Sequence, residues 1–169
     1  MKELLILTLL NIKGFGNSKV KYLFENSENY DYNKSNDILD LIKHNSKNKK
    51  VVPTKDEIEI SLERAQRIVD KCDINNIKLI QPQSKYYPKN LKDIGGMPMI
   101  LYSYGNTNLL KNSSNLISII GTRKPSVEAV KLGKNLTNKF LEKNFVIVSG
   151  LALGCDTIAH TVCVEKNKP

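Results

Sequence analysis

The chain has 169 residues, 40% of them hydrophobic, which is enough for one sizeable domain or two small ones. A formal net charge of +9 favours a polyanionic partner such as nucleic acid, although abundant lysine on ordinary solvated surfaces would give the same excess. No run approaches the roughly 20 apolar residues that span a bilayer. The three cysteines have no CxxC spacing, which argues against a disulfide framework or a zinc site. We therefore expect a cytoplasmic protein without a membrane segment, metal or cofactor.

The first part of the chain predicts a small all-helical domain over residues 1–75. Apolar spacing predicts an amphipathic core helix over 3–11 and a second helix from Asn17 or Ser18 to about Phe24. A third, short helix would be capped by Asn36 or Asp37.

The best local signal in this part is the capping box Thr54-Lys55-Asp56-Glu57, in which the two outer side chains bind each other's backbone N–H groups. It predicts a helix over about 55–73. The expected buried stripe of this helix is Ile58, Leu62, Ala65, Ile68, Val69 and Cys72.

The second part, residues 76–169, predicts an α/β domain. Strand-like segments occur at 77–80, 99–104, 116–120 and 145–148, and the apolar run 116–120 is typical of a strand buried on both faces. Ser126 caps a predicted helix to about Lys143, and Asp156 caps a last helix. Alternating strands and helices indicate a Rossmann-like parallel sheet. Because two strands and two helices do not complete such a sheet, we expect a fragment or a truncated reading frame.

Two glycine-containing loops are the main candidates for a binding site. Gly121-Thr122-Arg123 and the segment 149–156 (SGLALGCD) each follow a predicted core strand and open a helix. Ligands of open parallel sheets bind at this edge, where helix N-termini and close backbone approach favour a phosphate, and Arg123 would clamp it. Simple turn geometry would require similar glycines. The absence of GxGxxG argues against an ordinary NAD-binding dehydrogenase.

A shorter glycine motif lies near the amino terminus, in the segment 12–19 (IKGFGNSK). It resembles the hairpin of a helix-hairpin-helix motif, in which glycines expose backbone amides to a DNA phosphate. The secondary DNA-binding candidates are therefore Lys13, Gly14, Gly16 and Lys19. A tight turn between two helices is the simpler alternative.

His160 lies one helical turn after Asp156, where it could be a general base or ligand, or a helix-face histidine with a structural hydrogen bond. Similarly, four tyrosines could stack on bases or pack in a core or domain interface: Tyr86, Tyr87, Tyr102 and Tyr104.

The combination of motifs is more specific than any one of them. The segments ISIIGTRKPS and VIVSGLALGCDTIAH, separated by a helix, resemble the core of the DprA/Smf family. That family reads G-[ST]-R-x-x-[ST] after an apolar strand, then V-S-G-L-A-x-G-I-D-x-x-A-H. The preceding segment YYPKNLKDIGGMPMILYSYGN also resembles the family pattern. Together these matches cover about residues 80–165, whereas the amino-terminal helices resemble the family's small helical domain more loosely.

This resemblance implies a single-stranded-DNA-binding protein without catalytic activity, which protects incoming DNA and assists loading of a RecA-type recombinase in transformation or recombination. It also implies a homodimer at full length, with the recombinase surface in the carboxy-terminal half beyond residue 169. By the family pattern, and with two neighbours added, the DNA- and phosphate-facing residues are Gly121, Thr122, Arg123, Lys124, Ser149, Gly150, Gly154 and Asp156.

The sequence departs from the family pattern at three places. Leu153 stands where many relatives have a basic residue that contacts DNA, and Cys155 replaces an isoleucine. The segment 127–129 replaces a tyrosine-glycine pair and brings Glu128 near the expected anion site. Two alternatives stay open: a nucleotide-binding sensor or enzyme of the lysine-decarboxylase-like (LOG) group, although its P-G-G-x-G-T motif does not occur in residues 1–169, and an inactive fragment.

Overall fold

The computed structural model describes residues 2–46, 52–111 and 115–169, and the chain divides into two compact units, Met1–Thr107 and Asn108–Pro169. This division falls later along the chain than the boundary after residue 75 that the sequence suggested. The difference arises because the first two strands pack against the helices that precede them.

The described residues of the first unit form four α-helices: α1 (Lys2–Asn11), α2 (Asn17–Glu25), α3 (Ser35–Asn45) and α4 (Lys55–Ile74). The prediction that α1 is amphipathic was wrong, because every residue from Leu4 to Leu9 is buried. The one polar residue in this stretch, Thr8, is fully buried and satisfies its hydroxyl by donating to the carbonyl oxygen of Leu4 at 2.8 Å. Helix α1 is therefore the central element of this unit.

The predicted N-cap of α3 was wrong, whereas that of α4 is confirmed. Helix α3 begins at Ser35 after Lys34 at the N-cap, so the predicted caps Asn36 and Asp37 were placed too late. The Asp37 carboxylate instead accepts the backbone N–H of Asp31 at 3.0 Å, which ties the preceding loop to the first turn. The capping box before α4 is confirmed, with both reciprocal hydrogen bonds of Thr54 present.

Strands β1 (Lys78–Ile80) and β2 (Leu101–Ser103) pair antiparallel, with Leu79 opposite Tyr102. A 3₁₀ turn at Lys89–Leu91 lies between them, and another spans Thr107–Lys111. Ile80 is buried, and Met97 and Met99 join the hydrophobic core of the helices. This shared core explains why residues 78–103 belong to the helical unit.

The second unit has the order β3 (Leu116–Ser118), α5 (Val127–Glu142), β4 (Val146–Val148) and α6 (Cys155–Glu165). The two strands are parallel, with Ile117 opposite Ile147, so the predicted parallel β-α-β-α series is confirmed. Both helices pack on one face of this sheet. The core residues of that face are Leu141, Ile147, Ala159, Val162 and Cys163, with Ile117, Ile119 and Phe140 packed against them.

The expectation that the strand at 116–120 is buried on both faces was wrong. Successive residues of a strand point to opposite faces, and the helices of this unit cover the face of Ile117 and Ile119. On the other face Ser118 is exposed, Ile120 has 77% of its surface exposed and Val148 of β4 has 43%. Only one face of the sheet is therefore built into the core of the second unit.

Within the described ranges, none of the helices is both long enough and apolar enough to cross a membrane.

Candidate nucleic-acid interface

The two predicted site loops lie side by side at the carboxyl ends of the parallel strands. We call residues 119–126, between β3 and α5, the first loop and residues 149–154, between β4 and α6, the second loop. The backbone N–H of Cys155 donates to the carbonyl oxygen of Thr122 at 3.1 Å. The hydroxyl of Ser149 donates to the carbonyl oxygen of Ile119 at 2.6 Å. These bonds fasten the second loop to the first at both of its ends.

Two glycines allow this close packing. Gly154 has φ +87°, and a Cβ there would meet the carbonyl oxygen of Thr122 and lie 2.7 Å from two backbone carbons of Arg123. A Cβ on Gly121 would lie 2.6 Å from the Cys155 Sγ. Both glycines thus face the neighbouring loop, and their first role is to let the two backbones meet.

Asp156 has a role that the sequence did not show. It is 6% exposed, and its Oδ2 accepts the backbone N–H groups of Gly150 at 3.0 Å and Ala152 at 3.3 Å. The prediction that Asp156 caps α6 was wrong, because Gly154 occupies the N-cap and Asp156 lies inside the first turn. The carboxylate instead accepts hydrogen bonds from two backbone N–H groups of the second loop, so these groups are unavailable to a phosphate.

Those two hydrogen bonds flank Leu151, whose backbone is in the left-handed region at φ +58°. A leucine in this conformation is strained by about 1–2 kcal/mol and persists only where its surroundings hold it. The side chains of Leu151 and Leu153 are 81% and 75% exposed. Nothing in the local sequence indicates the exposed position of Leu151, because the conformation of this loop depends on a buried carboxylate five residues further along the chain.

The first loop supplies the cations. Arg123 and Lys124 are both exposed. Neither side chain makes an ion pair with any residue that the structure describes. The Lys124 backbone N–H is bound to the hydroxyl of Thr122 at 3.2 Å, so its loop position is defined while its ammonium group faces solvent.

A carboxylate already occupies the amino-terminal end of α5. Ser126 caps this helix by accepting the Ala129 N–H at 3.2 Å, as predicted. Hydrogen bonds from its own backbone N–H and from the Ser126 hydroxyl hold the pKa of Glu128 below its usual value. Glu128 therefore stays charged at neutral pH and compensates the positive end of the helix dipole.

The amino-terminal hairpin, residues 12–19, belongs to the first unit. Gly14 has φ +83°, and nothing lies within 4 Å of a Cβ built on it or on Gly16. Phe15 is buried, and the Lys19 ammonium lies 3.5 Å from the centre of its ring. Partial burial lowers the pKa of Lys19. Of the two predicted lysines, Lys13 is exposed and Lys19 is held against the aromatic ring.

The other candidate residues, His160 and the tyrosines, differ in burial and in hydrogen bonding. The Nε2 of His160 is buried and has no hydrogen-bond partner among the described residues. The Tyr87 hydroxyl donates to the carbonyl oxygen of Pro98 at 2.6 Å, whereas Tyr104 is 81% exposed. Within residues 2–46, 52–111 and 115–169, no group of three or more His, Cys, Asp or Glu side chains is arranged to hold a metal ion.

A parallel sheet with two fastened loops at its carboxyl edge, together with a helical unit, defines the chain as an α/β protein of the Rossmann-like class. Residues 78–169, more than half of the chain, match the family described as DNA recombination-mediator protein A. The chain therefore belongs to this family, also known by its members DprA and Smf.

Individual relatives agree with this assignment. The DNA processing protein DprA of Bacillus subtilis is 34% identical over 116 residues, which are 69% of this chain and 39% of that protein. Protein Smf of Synechocystis is 30% identical over 54% of this chain and 24% of its own length. The crystal structure of DNA processing protein A from Streptococcus pneumoniae shares the fold, with a TM-score of 0.70 at 24% identity, over 99% of this chain and 56% of that one. The chain thus spans less than half the length of either curated relative.

Proposed function

We propose that this chain forms the single-stranded-DNA-binding part of a DNA-processing protein. In this proposal the whole protein, acting in the cytoplasm, protects incoming DNA and assists loading of a RecA-type recombinase in transformation or recombination. The observation that carries the proposal is the pair of exposed cations, Arg123 and Lys124, which no described residue neutralises, at the carboxyl edge of a parallel sheet. Membership of a recombination-mediator family supports DNA as the polyanion.

The contacts in this proposal are made by side chains more than by backbone amides. Asp156 accepts the N–H groups of Gly150 and Ala152, and Glu128 occupies the amino-terminal end of α5. Phosphates would therefore be held by the guanidinium group of Arg123, whose fork matches two phosphate oxygens, and by the ammonium group of Lys124. Gly121, Gly150 and Gly154 act by shaping the loops.

The second loop offers a different kind of contact. Leu151 and Leu153 present apolar surface next to the cationic first loop, because the loops are joined at Thr122 and Cys155. Single strands expose base faces that a duplex keeps stacked, and apolar side chains can cover such faces. This arrangement favours a single strand over a duplex.

The proposed role is binding without bond cleavage, so the strand is held and passed on chemically unchanged. Dimerisation and the contact with the recombinase are assigned to the longer protein, since the relatives extend well beyond the part that matches. The chain itself is assigned the strand-holding step.

The test is fluorescence anisotropy of a labelled oligo-dT strand across a salt series, with unlabelled duplex as competitor. Arg123→Ala is expected to weaken binding by about 1–3 kcal/mol, the cost of one charge-assisted contact. It should also lower the slope of log affinity against log salt by about 0.7, the value for one phosphate contact on a single strand. The matched control is Arg67→Ala, which removes an exposed arginine that is paired with Glu63 at 3.4 Å.

Two results would contradict the proposal. The first is an Arg123→Ala chain that binds as tightly as the Arg67→Ala control. The second is a duplex that competes as well as an unlabelled single strand of the same length.

A further inference from the structure

The helical unit contains a cavity of about 410 Å³ between the amino-terminal hairpin and the first half of α4. Its apolar lining includes Ile12 and Phe15 from the hairpin and Ile60 from α4. Its charged lining residues are Lys13, Glu57 and Arg64. The volume lies within the range of small-ligand sites, about 300–1,000 Å³, and the mixed lining suits a ligand with one apolar and one anionic part.

The charges of this cavity are unbalanced. Lys13 and Arg64 are exposed and make no ion pair within the described part of the chain. The carboxylate of Glu57 accepts the Thr54 backbone N–H at 2.8 Å in the capping box. Among the lining residues that the structure describes, two cations and one carboxylate give a net charge of +1, which complements a single phosphodiester.

The hairpin next to the cavity is accessible to a ligand. Space is open beside Gly14 and Gly16, so a ligand can approach their backbone closely. Phe15 is anchored in the hydrophobic core of the unit and holds the hairpin in place. The ammonium group of Lys19 lies over the Phe15 ring, which leaves Lys13 as the hairpin lysine that lines the cavity.

We propose that this cavity is a second site for single-stranded nucleic acid and takes one nucleotide of the strand. Ile60, which is half exposed, contacts the base, and the buried residues Ile12 and Phe15 complete the apolar lining. Lys13 and Arg64 hold the adjacent phosphate, and the open backbone at Gly14 lets the strand lie close to the hairpin. The inference rests on the proposed function for the nature of the ligand, but it uses none of the residues of the two loops.

The experiment compares two arginines of the same helix. Arg64 lines the cavity, whereas Arg67, less than one turn further along α4, is paired with Glu63 outside it. Arg64→Ala and Arg67→Ala remove the same side chain and the same charge from α4. We expect Arg64→Ala to weaken oligo-dT binding about five- to tenfold and Arg67→Ala to change it less than about twofold. Thermal unfolding of both variants checks that α4 remains folded.

Nuclear magnetic resonance then locates the contact. In a uniformly ¹⁵N-labelled chain carrying Arg123→Ala, oligo-dT is expected still to shift the amide signals of Gly14 and Gly16. Adding Arg64→Ala should strongly reduce these shifts at the same oligo-dT concentration. A poly-glutamate chain of similar charge should produce much smaller shifts, because it has no base to fill the apolar surface.

The outcomes separate this inference from the proposed function. Suppose that Arg123→Ala weakens binding, that Arg64→Ala binds oligo-dT as tightly as Arg67→Ala, and that the amide signals of Gly14 and Gly16 do not move. Then the cavity is not a nucleotide site, and the proposed site at the two loops stands. If Arg64→Ala weakens binding and Arg123→Ala does not, the proposed loop site fails and the cavity stands. Equal shifts with poly-glutamate would overturn the nucleotide assignment, and absence of oligo-dT binding by the unmutated chain would overturn both.

Discussion

The backbone N–H of Cys155 donates a hydrogen bond of 3.1 Å to the carbonyl oxygen of Thr122. This bond joins the first residue of α6 to the loop that carries the exposed cations, and Gly154 beside it allows the two backbones to touch. The position of Arg123 and Lys124 therefore depends on residues of the second loop that carry no positive charge.

Gly154→Ala is expected to destabilise the second unit and to weaken DNA binding. The new Cβ would be strained at φ +87° and would overlap the backbone of Thr122 and Arg123. Strain and overlap together should lower the free energy of unfolding by about 3 kcal/mol. Urea denaturation and oligo-dT anisotropy measure the two effects.

Gly105→Ala is the matched control for this substitution. Gly105 has nearly the same φ, +88°, but nothing lies within 4 Å of a Cβ built there. Gly105→Ala should lower the free energy of unfolding only by the backbone strain, about 1–2 kcal/mol, and should leave DNA binding unchanged. If both variants lost the same unfolding free energy and the same affinity for oligo-dT, the contact between the loops would contribute to neither stability nor binding.

Asp156→Ala is expected to loosen the second loop. The substitution leaves the N–H groups of Gly150 and Ala152 without their carboxylate acceptor, which should cost about 1.5–3 kcal/mol of unfolding free energy. Amide hydrogen exchange at these two residues should accelerate more than at Ile147 in the adjacent strand. Asp156→Asn keeps one acceptor oxygen and should lose less. Unchanged exchange at Gly150 in the alanine variant would contradict the assigned role.

Glu128→Gln is expected to strengthen oligo-dT binding, roughly two- to fivefold at low salt, because it removes a carboxylate beside the proposed phosphate site. The control is Glu142→Gln, which removes an exposed carboxylate at the other end of α5. Equal effects of the two substitutions would indicate only a change of net charge.

The same carboxylate gives the stability of α5 a defined pH dependence. Because hydrogen bonds lower the pKa of Glu128, its stabilising effect is fully present above the usual pKa of a glutamate. It is lost as the pH falls through the lowered value. Glu128→Gln should therefore be less stable than the unmutated chain at neutral pH, and the difference should shrink in acid, as thermal unfolding at several pH values would show.

Thr54→Ala is expected to lower the free energy of unfolding of the first unit by about 1 kcal/mol, since the N–H of Glu57 loses its side-chain acceptor. Thr54→Ser retains a hydroxyl at the same place and should restore most of the loss. Urea denaturation distinguishes the two. A serine variant as unstable as the alanine variant would show that the hydroxyl is not what stabilises this helix start.

Two of the predicted helix caps were correct, whereas those expected at Asn36 or Asp37 and at Asp156 were not. The Thr54 capping box and the Ser126 cap require only a side chain and an amide three residues away, so both could be predicted from their spacing. The same holds for the positions of the glycine loops after two apolar strands. The family was recognisable because its motifs lie within three short segments of the sequence.

The roles of several residues were decided only by the tertiary structure. Asp156 follows a loop and precedes a helix, which by sequence alone favours a cap; its carboxylate turns to Gly150 and Ala152 because the second loop folds back over it. Helix α1 looked amphipathic, yet neighbouring elements surround it on every side. The cavity beside Arg64 likewise exists only because α4 packs near the hairpin. Sequence determined the caps at Thr54 and Ser126 and the positions of the glycine loops, because these features depend on neighbouring residues. Packing between distant segments decided which polar groups are satisfied internally and which remain for a ligand.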